Sequence, residues 1–333
     1  MNLPRKLAVT SPPDAIALTP YLLGFHPHDS LVILGHGGEG SFAFRLDLVG
    51  RERYSDLLMQ LSGLLTRNDA EAAVLLGYGP QETAVPLLAE VRDALTDIVT
   101  VKDVVHVDGG RWWSLMCTDP QCCPAEGTPY DIATSRLAAQ ATFAGLVAYA
   151  SREEMTAMVA PVDGEDRVWM AAETERAEQE LLDITRSPSL LVQQGVQLVR
   201  SLIGQDRGLT DHEVARLSIV LTSLRVRDEA LALIPTLDPR QQLRLWQDVT
   251  RRAAGEYAAA PAVLLAFLAY INGNGSLARI ALDRCRQLAP SYTMAELIGY
   301  CLNLGIPPET VRDKIRDTHG SLPEVWGDSA EYV

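Results

Sequence analysis

Ala73-Val-Leu-Leu-Gly-Tyr78 is a continuous apolar run that lies between two segments of helical periodicity. A run of this kind is typical of a strand buried on both faces of a sheet. Residues 51–67 before it and residues 82–97 after it repeat apolar side chains at helical spacing. This succession of helix, strand and helix predicts an α/β domain in which helices cover a sheet.

Further strands are predicted on both sides of this unit. Residues 30–35 and 41–48 are rich in β-forming residues, and a glycine-rich turn between them indicates a hairpin. Residues 101–107 have the pattern of another strand. The Asp108-Gly-Gly110 turn then reverses the chain, and residues 111–116 form the strand that returns. The resulting order, ββαβαββ, predicts a mixed sheet covered by helices.

The second half of the chain has a different pattern. From residue 167 onward there is no strand-like alternation, and successive segments have helical periodicity. Residues 261–292 contain a helix, a Gly273-Asn-Gly275 break, a second helix and Pro290, which resembles one tetratricopeptide-type repeat. We therefore predict helical hairpins that stack on one another.

These patterns predict two domains. An α/β domain is expected over residues 1–160, with a Cys/Pro loop at residues 117–131. An all-helical, tetratricopeptide-like hairpin scaffold is expected over residues 161–333, after a candidate linker at residues 161–166.

The charge of the chain argues against nucleic acid and membrane partners. The net charge is -14 over 333 residues. Residues 1–160 have 11 basic against 19 acidic side chains, and residues 161–333 have 18 against 24, so both halves are acidic. Phosphate groups and anionic lipid surfaces require clustered cations, and we expect neither partner.

The cysteine content and the N-terminus bear on the compartment. Residues 1–14 lack an apolar core of signal-peptide length, so the protein is expected in the cytoplasm, where thiols stay reduced. The five cysteines are an odd number, and no structural disulfide is expected.

Three of the five cysteines are close together in the sequence, at Cys117, Cys122 and Cys123. We favour a tight loop that buries Cys122 or Cys123, because free cysteine is among the most buried residue types. The alternative is a zinc site with His106 or His26 as a fourth ligand, although adjacent thiols do not match the usual ligand spacing. A third hypothesis is a redox-active or nucleophilic thiol.

Two groups of residues are candidates for other chemistry. His26, Asp47, Arg111 and Cys117 are weak catalytic candidates. Gly77-Tyr-Gly79 lies where a predicted strand ends and a helix is about to begin, and ligands of α/β sheets bind at the carboxyl ends of parallel strands. If the strands at 42–48, 73–78 and 101–107 run parallel, Asp47, Tyr78 and Asp108 meet at one edge.

Two motifs resemble an uncharacterised actinobacterial family, a domain of unknown function. The first is Pro20-Tyr-Leu-Leu-Gly-Phe-His-Pro-His-Asp-Ser-Leu-Val-Ile-Leu-Gly35. The second is Val107-Asp-Gly-Gly-Arg-Trp-Trp-Ser-Leu-Met-Cys117, continued by a Cys-Cys-Pro tail and Glu-Gly-Thr-Pro129. The resemblance spans nearly the whole chain. It implies membership of a protein family, but it does not imply a reaction or a ligand.

Our leading functional hypothesis is an interaction or regulatory adaptor that binds a protein partner through its helical surface. Its α/β domain would sense a ligand or have lost a former activity, and self-association is compatible with the pattern. An enzyme is less favoured, because no complete catalytic constellation is found. The enzymatic alternative is a hydrolase or transferase that acts on a small phosphorylated or nucleotide-like substrate. A zinc-stabilised structural protein is the second alternative.

Overall fold

The computed structural model describes residues 9–38, 40–184 and 187–319. The chain divides into two compact units. One consists mainly of the residues up to Met155, together with Leu304–Ile306, and the other mainly of the residues from Thr156 onward.

The first unit is built on a mixed sheet of six strands, in the order β2-β1-β3-β4-β5-β6. All its pairs are antiparallel except β3 with β4, which is parallel. The strands are β1 (Ser30–Gly37), β2 (Gly40–Asp47), β3 (Ala70–Tyr78), β4 (Thr100–Asp108), β5 (Arg111–Ser114) and β6 (Thr128–Pro129). The predicted α/β class and its mixed sheet are confirmed.

Helices surround this sheet because its central strands are buried on both faces. The helices are α1 (Pro12–Leu23), α2 (Tyr54–Arg67), α3 (Gln81–Leu95), α4 (Arg136–Phe143) and α5 (Arg152–Ala157). Leu31, Leu75 and Val104 share one buried core with the apolar residues of α2 and α3. Their neighbours along the strands point to the other face, as strand geometry requires, and α1 contacts β1 and β2.

Helix α1 was not predicted, although its ends have clear signals. Ser11 caps it by accepting a hydrogen bond from the Asp14 amide, two prolines occupy its first turn, and Gly24 ends it with φ of 85°. Another boundary was also wrong. The glycine-rich turn is shorter than predicted, since β1 continues to Gly37. Helix α4 ends at Phe143, and Gly145 follows it with φ of 83°.

The second unit is helical, and none of its described residues forms a strand. Its helices are α6 (Gly164–Ile184), α7 (Pro188–Leu202), α8 (Asp211–Val220), α9 (Leu224–Leu233), α10 (Pro239–Arg252), α11 (Ala259–Ile271), α12 (Gly275–Leu288), α13 (Thr293–Leu304) and α14 (Pro308–His319). Helix α6 begins inside the segment that was the candidate linker. Thr210 and Glu213 form a capping box at the start of α8.

Helix α11 lies at the centre of this unit. All its residues are buried, and it contacts α9, α10, α12 and α14. Helices α11 and α12 pair across the predicted Gly273-Asn-Gly275 break, where the Asn274 side chain accepts from the Leu277 amide. A helix that is apolar all round needs partners on every side, so α11 is surrounded by helices from before and after it in the chain.

Among the described residues, no helix combines the length and the apolar character needed to cross a membrane.

Candidate functional site

The hairpin of β4 and β5 supports the most distinctive loop of the chain. Asp108 lies opposite Arg111 and Val107 opposite Trp112. The two turn residues, Gly109 and Gly110, have φ of 52° and 75°. Positive φ at both central positions defines the tight hairpin turn that favours glycine, so the predicted hairpin is confirmed.

The loop after β5 is held against this hairpin by side chains of β5. The Trp113 indole Nε1 donates to the Ala125 carbonyl at 3.0 Å. The Arg111 guanidinium donates to the carbonyls of Glu126 at 3.2 Å and Gly127 at 2.7 Å. Gly127 is buried, has φ of 78° and lies so close to the Trp113 ring that a Cβ would be 2.4 Å from it. Arg111, a catalytic candidate, therefore holds the loop in place.

The loop brings three thiols together. The Sγ atoms of Cys117, Cys122 and Cys123 all lie within 4.8 Å of one another. The amides of Cys122 and Cys123 donate to the Asp119 carbonyl at 3.1 and 2.8 Å. This turn places the side chains of both Cys122 and Cys123 beside Cys117. The spacing of the cysteines in the sequence did not predict this arrangement.

Our expectation that this loop buries Cys122 or Cys123 was wrong. Cys122 is exposed, and Cys123 is only partly buried, as is Cys117. The thiols converge at the surface because the buried contacts of the loop are made by Gly127 and the Trp113 ring instead.

The thiols of Cys117 and Cys123 differ in acidity. A hydrogen bond from the Asp119 amide, together with the two neighbouring thiols, lowers the pKa of Cys117 below its usual value. Partial burial and the thiols of Cys117 and Cys122 raise the pKa of Cys123 to about 12. Hydrogen bonding to the charged form favours that form, so of these two thiols Cys117 ionises more readily.

His106, proposed as a zinc ligand, has other partners. Its ring stacks on that of Trp113, with 5.0 Å between the centroids. Its Nε2 atom forms a hydrogen bond of 2.8 Å with the Gly79 carbonyl. Within the described residues, the close group of ligand atoms consists of the three thiols without His106.

The carboxyl ends of β2, β3 and β4 lie along one edge of the sheet. Ser30 is opposite both Asp47 and Tyr78, and Tyr78 is opposite Val107. These three strands run in the same direction, although β1 separates β2 from β3. The Asp47 side chain at this edge is largely exposed and pairs with Arg45 at 2.5 Å.

The glycines near this edge allow close packing. A Cβ on Gly77 would be 2.7 Å from the Leu88 side chain, so Gly77 lets α3 approach β3. Gly79 has φ of 130°, and a Cβ there would be 2.9 Å from the Asp29 carboxylate. Both candidate ligand-binding glycines thus have a structural role in the chain.

Two tyrosines and a carboxylate lie at the same edge. Burial raises the pKa of Tyr78 well above its usual value. Among the described residues, the Tyr78 hydroxyl has no partner of normal hydrogen-bond geometry, and the Thr19 hydroxyl beside it donates to the Ala15 carbonyl at 2.7 Å. Burial and the nearby Asp108 carboxylate raise the pKa of Tyr130. Both phenols therefore stay protonated at neutral pH.

The four catalytic candidates have separate local partners. The His26 amide donates to the Tyr149 carbonyl at 2.9 Å, and burial, with the nearby His28, lowers the pKa of the His26 ring. Asp47 pairs with Arg45, Arg111 binds loop carbonyls and Cys117 belongs to the thiol group. No hydrogen bond or ion pair found among the described residues joins two of these four.

The helical unit presents an apolar surface on α13. Glu296 is the only charged residue of this helix. Ala295, Ile298 and Gly299 are buried on one side, whereas Leu297 and Tyr300 are each 62% exposed.

Comparison with known proteins identifies one family. A family model described as "Domain of unknown function (DUF4192)" matches residues 12–309. No curated protein matches the chain, and no solved structure matches it.

Proposed function

The chain belongs to the DUF4192 family, a domain of unknown function, and from its geometry we propose that it is an adaptor that binds a partner protein through α13. The observation that carries this proposal is the exposed apolar pair of Leu297 and Tyr300.

Helix α13 is poor in charged residues and contains one in twelve. Leu297 and Tyr300 are three residues apart, so they lie side by side on one face, together with the exposed residues Thr293, Glu296 and Asn303. A partner that covers this face removes the exposed part of two large apolar side chains from water. Each contributes less than the roughly 1.5–3 kcal/mol of a side chain that goes from fully exposed to fully buried, because each is 62% exposed.

We expect the partner to supply an amphipathic helix. An apolar stripe along a helix fits the apolar face of a second helix, with anchors at spacings of three and four residues. The chain has a net charge of -14, and oppositely charged surfaces steer association. Basic side chains are therefore expected around the apolar face of the partner.

A photocrosslinking experiment tests this proposal. A photoreactive phenylalanine analogue replaces Tyr300, and the crosslinked segment is identified in the source cells by mass spectrometry. We expect a basic amphipathic helix, and a synthetic peptide of that segment should bind the purified protein. Leu297→Glu should weaken this binding about 10- to 100-fold, because it places a charge in the apolar contact.

Gln179→Glu is the matched control, because it adds the same charge at an exposed position of α6. It should leave peptide binding within about twofold of the original protein. Equal binding by the Leu297→Glu variant would contradict the proposal. Crosslinking of α13 only to a second copy of the chain, with a dimer in sedimentation analysis, would also contradict it.

A further inference from the structure

We propose that Cys117, Cys122 and Cys123 form a zinc site with three thiolate ligands and an open fourth coordination position. This inference is independent of the adaptor proposal, which concerns α13.

The distances between the sulfur atoms fit one metal ion. The three Sγ atoms lie within 4.8 Å of one another. Two thiolates that bind zinc tetrahedrally at about 2.3 Å are about 3.8 Å apart. The thiols therefore need to approach one another by about 1 Å at most, which small side-chain rotations achieve.

The backbone prepares this arrangement. The Asp119 carbonyl accepts from the amides of both Cys122 and Cys123, and this turn holds the two adjacent thiols beside Cys117. The loop is also fixed from outside by Trp113 and Arg111. A preorganised loop loses less conformational entropy when it binds an ion.

Packing does not explain why these thiols meet. Cysteine that serves as a small apolar residue is buried, as Cys285 is in α12. Cys122 is exposed, and Cys117 and Cys123 are partly exposed. Three thiols that converge at a surface are available to an ion, whereas a packing role would place them inside.

The structure also indicates an open fourth position. Within the described residues, the group of possible ligands contains only these three. The Asp119 carboxylate accepts from the Gln121 amide at 2.9 Å, which keeps it in the turn. Zinc sites with three protein ligands bind water or an exogenous ligand as the fourth. Binding would release three thiol protons and give a site of net charge -1, with neutral water as the fourth ligand.

Metal titration of the full chain tests the site. Zinc is added to metal-free, reduced protein in competition with a chromophoric chelator, and native mass spectrometry counts the bound ions. We expect one zinc per chain and a rise in Tm on saturation, because an ion that binds the folded state stabilises it. Substitution by cobalt should give thiolate charge-transfer bands and the visible spectrum of tetrahedral cobalt.

Single substitutions assign the ligands. Cys117→Ala, Cys122→Ala and Cys123→Ala should each lower zinc affinity at least tenfold, while circular dichroism shows an unchanged fold. Cys301→Ser is the matched control, because it removes a thiol of α13 outside the loop, and it should keep the full zinc content. Leu297→Glu should also keep it, which separates failure of this site from failure of the adaptor proposal.

Two results would overturn the zinc site. The first is the absence of a one-to-one complex in the reduced protein. The second is an equal loss of zinc in the Cys301→Ser control.

Discussion

Gly127→Ala is expected to lower the free energy of unfolding by about 2–5 kcal/mol. An L-residue at a φ of 78° costs about 1–2 kcal/mol. The new Cβ would also be 2.4 Å from the Trp113 ring, and overpacking of this kind typically costs about 1–3 kcal/mol. The ring cannot move freely, because its Nε1 atom is bonded to the Ala125 carbonyl. Urea denaturation followed by tryptophan fluorescence measures the loss.

Gly110→Ala is the matched control for this prediction. Gly110 has a similar φ of 75°, but no atom lies within 4 Å of the position of its Cβ. The backbone strain is therefore present without the overlap, and we expect a loss of about 1–2 kcal/mol. Equal losses in the two variants would show that the contact between Gly127 and Trp113 does not hold the loop.

Trp246→Ala is expected to destabilise the helical unit by about 3–5 kcal/mol, the range for a fully buried large aromatic residue. Trp246 of α10 is completely buried, and its Nε1 atom donates to the Gln242 side chain at 3.1 Å. Gln242 donates in turn to the Ile203 carbonyl at 2.7 Å. The substitution thus leaves a cavity and a buried amide oxygen without its donor.

Trp169→Ala provides the comparison. Trp169 of α6 is 58% exposed and donates to the Asp211 carboxylate at 3.0 Å. Its removal should cost less than about 1 kcal/mol, because little apolar area returns to water. Thermal unfolding of both variants measures the difference in stability. Losses of similar size would contradict the expectation that the buried Trp246 side chain contributes far more to the stability of this unit than Trp169 does.

The sheet could be predicted because its strands follow local rules. The apolar run at 73–78 and the glycine turn at Gly109 and Gly110 are explained by neighbouring residues alone. Helix α1 was missed although Ser11 and Gly24 mark its ends, because the apolar residues between them have no clear amphipathic period and are mostly buried.

The candidate site was predicted only in part. The close spacing of the cysteines indicated a candidate site in the loop. Spacing alone, however, argued against two adjacent thiols binding the same metal ion. Their convergence depends on two amides that bond to one carbonyl, that of Asp119. Asp119 and Pro120 are the residue types favoured at the first two positions of such a turn, but this signal does not by itself place the two thiols beside Cys117. Nor does a pattern show that Trp113 and Gly127 make the buried contact of the loop, which leaves the thiols at the surface.

X-ray absorption at the zinc edge measures directly which atoms bind the metal. In the zinc-loaded protein, we expect three sulfur atoms at about 2.3 Å and one oxygen or nitrogen atom at about 2.0 Å. In the Cys122→Ala variant, a sulfur atom should be lost from the shell or zinc should be absent. A first shell of oxygen and nitrogen alone in the original protein would rule out the three-thiolate site.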